Sequence, residues 1–95
     1  MIRVVARTLV REGCLEAYYA LAKELVEETR KESGNISYTL NQSAENERLH
    51  AMIEVWESRA ALEAHMGSEH FKRLVPQMAA FAEEKKPLEL YTEVF

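Results

Sequence analysis

The sequence predicts an α+β fold of ferredoxin-like order, β-α-β-β-α-β, with an antiparallel sheet. Three observations carry this reading. Two-residue alternation marks both ends of the chain, apolar residues recur at three- and four-residue steps in two internal stretches, and two alternating runs lie side by side in the middle.

Residues Ile2 to Val10 make the first strand, with Ile2, Val4, Ala6 and Thr8 on one face and Arg3, Val5, Arg7 and Leu9 on the other. Past Gly13 the period changes, and Leu15, Tyr18, Ala22, Leu25, Val26 and Thr29 form one stripe of a helix. Glu24, Glu27, Glu28, Arg30 and Lys31 fill its opposite face, where Glu27 and Lys31, four apart, read as a solvated ion pair. The helix is expected to end near Ser33, closed by Gly34 in the left-handed conformation.

Ile36, Tyr38 and Leu40 then alternate with Ser37, Thr39 and Asn41, and after the polar stretch Ser43 to Glu47 a longer run follows from Arg48 to Trp56, so the two runs make a hairpin. In the second run Leu49, Ala51, Ile53 and Val55 share one face and His50, Met52, Glu54 and Trp56 the other. Ser58 and Ser68 are placed to cap two helical turns separated by Gly67. The second carries Phe71, Leu74, Val75, Met78 and Phe81, with a break expected at Pro76, which lacks the backbone donor. Leu88 to Phe95 alternates as a closing strand.

Right-handed crossovers put both helices on one face of such a sheet and leave the other bare. A bare face carrying residues such as Tyr, Met, Trp or Phe is too apolar for a monomer, so a homodimer is expected. A chain of 95 residues has the length of one compact domain, expected over 1–95. Hydrophobic residues at 47% and charged residues at 29% exclude a disordered tail. A net charge of −4 without a basic cluster argues against a nucleic-acid partner. Cys14 is the single cysteine, which excludes an intrachain disulfide and a Cys-rich zinc site; near a helix start it is either an activated or an inert thiol. No signal segment and no bilayer-spanning stretch is read, so a cytoplasmic protein without a membrane partner is expected.

The run Glu54-Val55-Trp56-Glu57-Ser58-Arg59-Ala60-Ala61-Leu62-Glu63-Ala64-His65-Met66-Gly67-Ser68-Glu69-His70-Phe71 resembles the signature of the antibiotic-biosynthesis monooxygenase family. Val10-Arg11-Glu12-Gly13 resembles the family's turn into its first helix, and Thr29 to Tyr38 resembles its run of Glu, Gly and a strand Tyr. The resemblance covers nearly the whole chain and is nearest in length to quinol monooxygenases. It implies a dimeric α+β barrel that oxidises a quinol or aromatic phenol with molecular oxygen, in an apolar pocket, without metal or cofactor.

Residue by residue, the resemblance makes Trp56 a pocket-lining and catalytic candidate, although a Trp there serves equally as core. Relatives that oxidise polycyclic substrates place an Asn four residues earlier; this chain has Met52, which offers no hydrogen bond to an oxyanion and implies a different substrate. Haem-degrading relatives carry a first-strand Asn where this chain has Ala6. His65 lies closer to the pocket in relatives and is the acid or base put forward ahead of His70, and five-residue spacing across a helix break argues against the pair chelating a metal. Met52, Glu54, His70, Phe71, Tyr38 and Arg7 are the candidate substrate contacts. His50, on the face of Glu54 and Trp56, is read as a second polar group between sheets or an interfacial hydrogen-bonded pair. Two alternatives stand beside the oxygenase: an isomerase-like relative of the autoinducer-processing branch, using Arg7, His65 and Glu54, and a non-enzymatic dimer that binds a hydrophobic metabolite.

Overall fold

A computed structural model describes residues 1–95. The elements are β1 (Ile2–Val10), α1 (Leu15–Thr29), β2 (Asn35–Gln42), β3 (Leu49–Trp56), α2 (Arg59–Met66), α3 (Glu69–Ala79), β4 (Ala82–Lys85) and β5 (Glu89–Tyr91). All strand pairs are antiparallel, in the order β2-β3-β1-β4, with β5 also on β1. The α+β, ferredoxin-like sheet expected from the alternating runs is therefore present, with three helices and five strands.

The closing strand differs from expectation. β4 pairs with Thr8 to Val10 and β5 with Arg3 to Val5, so two short strands share one edge of β1. Pro87, without an N–H, falls in the gap between them. Beyond Tyr91, which pairs Arg3, β1 has a single strand residue left, and the alternating residues 92–95 form no strand pairing, although Glu93 meets Arg3 in an ion pair at 3.1 Å. The 82–85 strand went unread because Glu83, Glu84 and Lys85 give no apolar alternation.

Three local corrections bear on the site. Helix α1 ends at Thr29, short of Ser33, because the chain tightens into three-residue turns: Lys31 N–H donates to the Glu28 carbonyl and Glu32 N–H to that of Thr29. Gly34 does not close the helix in a left-handed conformation, since Gly13, at φ 80°, is the only residue with positive φ. It is small because a Cβ there would collide with the Cβ of Ala61 in α2. Helix α3 runs through Pro76 without the expected break. Gln77 Nε2 donates to the Arg73 carbonyl at 2.9 Å, and Leu74 and Met78 stay buried on either side of the proline.

Register decides which face is chemical. Tyr38 pairs Glu54, Leu40 pairs Met52, Val4 pairs Glu54 and Ala6 pairs Met52. Those side chains, with His50 and Trp56, point under the helices, where Tyr18, Ala22, Leu25, Leu62, Leu74 and Met78 complete the core. Ile36 leaves this set, because the β2–β3 register shifts between Asn35 and Ser37 and the side chain is 47% exposed. The uncovered face carries Val5, Leu9, Leu49, Ile53 and Val55, with Tyr91 on β5. Its apolar character is mostly aliphatic, with Tyr91 the aromatic among them, while Tyr38, Met52 and Trp56 lie on the covered face.

Candidate active site

Between the sheet and the helices lies a cavity of about 440 Å³. Fourteen of its 21 lining residues are hydrophobic, Met52, Phe71, Val75 and Met78 among them, and its polar wall is Glu54, His65, Thr8, Arg7, Lys85 and Lys86. Apolar walls with a few convergent polar groups are the usual setting for a small-molecule site.

His65 is placed by α2, whose first turn is fixed by Ser58 Oγ accepting from Ala61 N–H at 3.1 Å. The side chain is 2% exposed, packed 4.6 Å centroid to centroid from Trp56, 5.1 Å from Phe71 and 5.4 Å from Tyr38. Its Nδ1 lies 2.7 Å from Glu32 Oε2. A carboxylate only accepts, so Nδ1 carries the proton and Nε2 keeps its lone pair, on a ring that lines the cavity. Burial pushes the imidazole pKa below 6.5, against the opposing pull of Glu32.

Glu54 is 5% exposed and also lines the cavity. Its Oε1 accepts from Trp56 Nε1 at 2.9 Å. Burial raises the carboxyl from 4.5 to about 7, outweighing that hydrogen bond, with the charge of Glu32 adding to the rise. Burial likewise raises the Tyr38 phenol above its ordinary value of 10.0, so it remains a neutral donor.

Trp56 itself is 0% exposed and does not line the cavity. It stands behind the wall, supporting the His65 ring and the Glu54 carboxyl together. His70 is not a lining residue either; its Nε2 lies 2.7 Å from the same Glu32 oxygen. Arg7 reaches the wall from β1, its Nε 3.2 Å from Glu89 Oε1. Met52, Glu54, Phe71 and Tyr38 all line the cavity.

Glu32 was not singled out from sequence, and it organises the site. It follows a charge run in which the expected Glu27–Lys31 pair is replaced by Lys31 Nζ to Glu28 at 2.6 Å. The five-residue spacing, which argued against a shared helical face, does not keep His65 and His70 apart. They sit on different helices, α3 starting afresh from the Ser68 cap, so helical spacing does not govern them and both rings turn to one carboxylate. The signal available in the sequence was the Gly67-Ser68 break between two histidines. His50, by contrast, faces α1: its Nδ1 lies 3.1 Å from the Arg48 carbonyl and its Nε2 2.6 Å from the Tyr19 hydroxyl, so both nitrogens are engaged within the chain. No helix is long and apolar enough to cross a membrane.

Known proteins locate this architecture. Over 70 residues the chain is 37% identical to "Putative monooxygenase Rv0793" of Mycobacterium tuberculosis, covering 74% of this chain and 68% of that one. Over 75 residues it is 32% identical to "Putative monooxygenase YcnE" of Bacillus subtilis, covering 79% of each. A crystal structure described as an antibiotic biosynthesis monooxygenase superimposes with a TM-score of 0.94 at 33% identity, covering 99% of both chains. The family profile for antibiotic biosynthesis monooxygenases matches residues 1–77, and the chain belongs to that family.

Proposed function

We propose that this chain is a cofactor-independent monooxygenase that oxidises a quinol or aromatic phenol held in the cavity, with His65 as general base. The observation that carries the reading is the His65 ring: buried in a mostly hydrophobic wall, fixed at Nδ1 by Glu32, with Nε2 left as an acceptor. The phenol O–H gives its proton to Nε2, and the phenolate passes one electron to dioxygen. The ring radical and superoxide combine in a C–O bond. One oxygen atom stays on the substrate, and the other leaves as water with the two hydrogens the substrate has lost. Met52, Phe71 and Tyr38 pack against the aromatic rings and exclude water. Glu54, in its protonated form, donates to a second substrate oxygen. Trp56 acts as a positioning residue behind both groups, and His70 does so through Glu32.

The working unit in this proposal is a homodimer, with a second copy covering the uncovered apolar sheet face. Ile53 there is 45% and Tyr91 51% exposed, an apolar surface of the kind that marks an interface. Ile53→Glu is expected to give monomers in sedimentation equilibrium where the parent chain gives dimers.

Oxygen uptake by purified protein over a panel of quinols and polycyclic phenols tests the activity. Uptake is expected with at least one of them and is expected to fall ~10²–10⁴-fold in His65→Ala, the usual worth of a positioned base. Trp56→Phe, which removes the N–H held by Glu54, is expected to lower kcat with little change in KM. Silence across the whole panel would break the reading.

A further inference from the structure

We propose that Glu32, His65 and His70 form a binding site for one divalent transition-metal ion of the zinc class. Each residue comes from a different segment: the turn after α1, α2, and the first turn of α3. Their donor atoms, Glu32 Oε2, His65 Nδ1 and His70 Nε2, lie within 4.8 Å of one another. Two imidazoles and one carboxylate are the ligands that zinc, cobalt and iron(II) select, whereas magnesium and calcium favour oxygen alone.

The present spacing is that of a hydrogen-bonded cluster, with Glu32 Oε2 at 2.7 Å from each histidine nitrogen. Bonds of ~2.0–2.1 Å in tetrahedral geometry set donors about 3.3 Å apart, so an ion replacing the two shared protons lengthens each Glu32–histidine separation by roughly 0.6 Å and sets the two histidine nitrogens, now within 4.8 Å of one another, at that same spacing. Side-chain rotations of Glu32 and His70 supply that movement. Both are partly open, with side chains 18% and 15% exposed, which provides an entry path. Glu32 Oε1 makes no hydrogen bond within the chain and is free to join the ion or to hold its water. His65 is the buried anchor, at 2%.

An ion on His65 Nδ1 has a consequence for the cavity. Neutral imidazole carries one proton, so metal at Nδ1 leaves that proton on Nε2. The cavity then meets a donor where the free protein offers an acceptor. On the reading of His65 as base, a loaded site is an inhibited one.

The test uses untagged protein and the ions alone, without substrate, so that its failure is separable from failure of the oxygenase reading. Co²⁺ and Zn²⁺ titrations, followed by calorimetry and by the visible bands of Co²⁺, are expected to saturate at one ion per chain, with no comparable binding of Mg²⁺ or Ca²⁺. His70→Ala and Glu32→Gln, both at partly exposed positions, are expected to weaken binding at least about a hundredfold, the upper end of what even outer partners of a metal cost. In imidazole ¹⁵N spectra Zn²⁺ is expected to move the His65 proton from Nδ1 to Nε2. No saturable binding, binding unchanged in both variants, or a His65 that keeps its Nδ1 proton when the ion is bound each overturns the proposal.

Discussion

Two histidines in this chain are almost equally buried, and they differ in what is left of them for chemistry. His50 on β3 is 1% exposed and His65 on α2 is 2% exposed. Both are ringed by aromatics: Tyr18 and Tyr19 lie 5.9 and 5.3 Å from His50, and Trp56 and Phe71 lie 4.6 and 5.1 Å from His65. His50 is spent at both nitrogens, because the Arg48 carbonyl takes the Nδ1 proton and the Tyr19 hydroxyl fills Nε2. His65 is held at Nδ1 alone, and its ring lines the cavity. Burial and aromatic company therefore do not distinguish a structural histidine from a chemical one; the unoccupied nitrogen does.

The largest expected effect breaks the comparison at that nitrogen. His65→Gln is expected to lower kcat by ~10²–10⁴, while His50→Gln leaves kcat close to that of the parent chain and lowers stability instead. Steady-state oxygen uptake beside urea denaturation measures both. The pH profile sharpens it: because burial holds the His65 pKa below 6.5, its base form predominates above 6.5 and is lost as pH falls through the lowered value. The acid limb of kcat/KM should thus lie below 6.5 and should vanish in His65→Gln. Equal kinetic losses in the two variants would remove the distinction.

Next in size is Glu54, which shares the His65 cavity. Its folded-state pKa is raised from 4.5 to about 7, so its contribution to stability is fully present below 4.5 and is lost as pH rises from 4.5 to about 7. At about 1.4 kcal/mol per pH unit, that is ~3 kcal/mol across the window. Glu54→Gln keeps an oxygen for Trp56 Nε1 but has no proton to lose. Relative to the parent chain it should gain ~3 kcal/mol in urea denaturation on going from pH 4.5 to pH 7.5. A gain that does not depend on pH would show that Glu54 ionises freely in the folded protein.

The same two histidines show how far the sequence could be read. Strand alternation put His50, Met52, Glu54 and Trp56 on one face, and the cap at Ser58 opened the helix carrying His65; both rest on local periodicity, and both stand. Local periodicity does not say which face of a strand the helices cover, and the covered face is the one that carries Tyr38, Met52 and Trp56. Nor does it say which residues from separate elements meet. Glu32 lies 33 residues from His65 and 38 from His70 in sequence, and its contact with them depends on where α1 stops. That stop was misplaced because Gly34 was credited with closing the helix, when its smallness serves the approach of Ala61 instead. Trp56 was read correctly as strand and left open as pocket or core; its ring is fully buried and is not among the residues that line the cavity.

The smallest expected effect tests the structural half of the comparison. The Tyr19 hydroxyl, on a side chain 37% exposed, donates to a His50 nitrogen inside the protein at 2.6 Å. Tyr19→Phe keeps the ring and its edge contact with His50 while deleting that one donor, so the loss is the cost of an unfilled buried acceptor, about 1–2 kcal/mol. The same substitution made in the His50→Gln background should cost less, since the acceptor geometry it served is gone, and the difference between the two measures the pair directly. Oxygen uptake should not change in either case. A fall in kcat on Tyr19→Phe would mean that the two histidine regions are coupled through the core that joins Tyr18 to the cavity wall, and the free-nitrogen rule would then describe only part of what separates them.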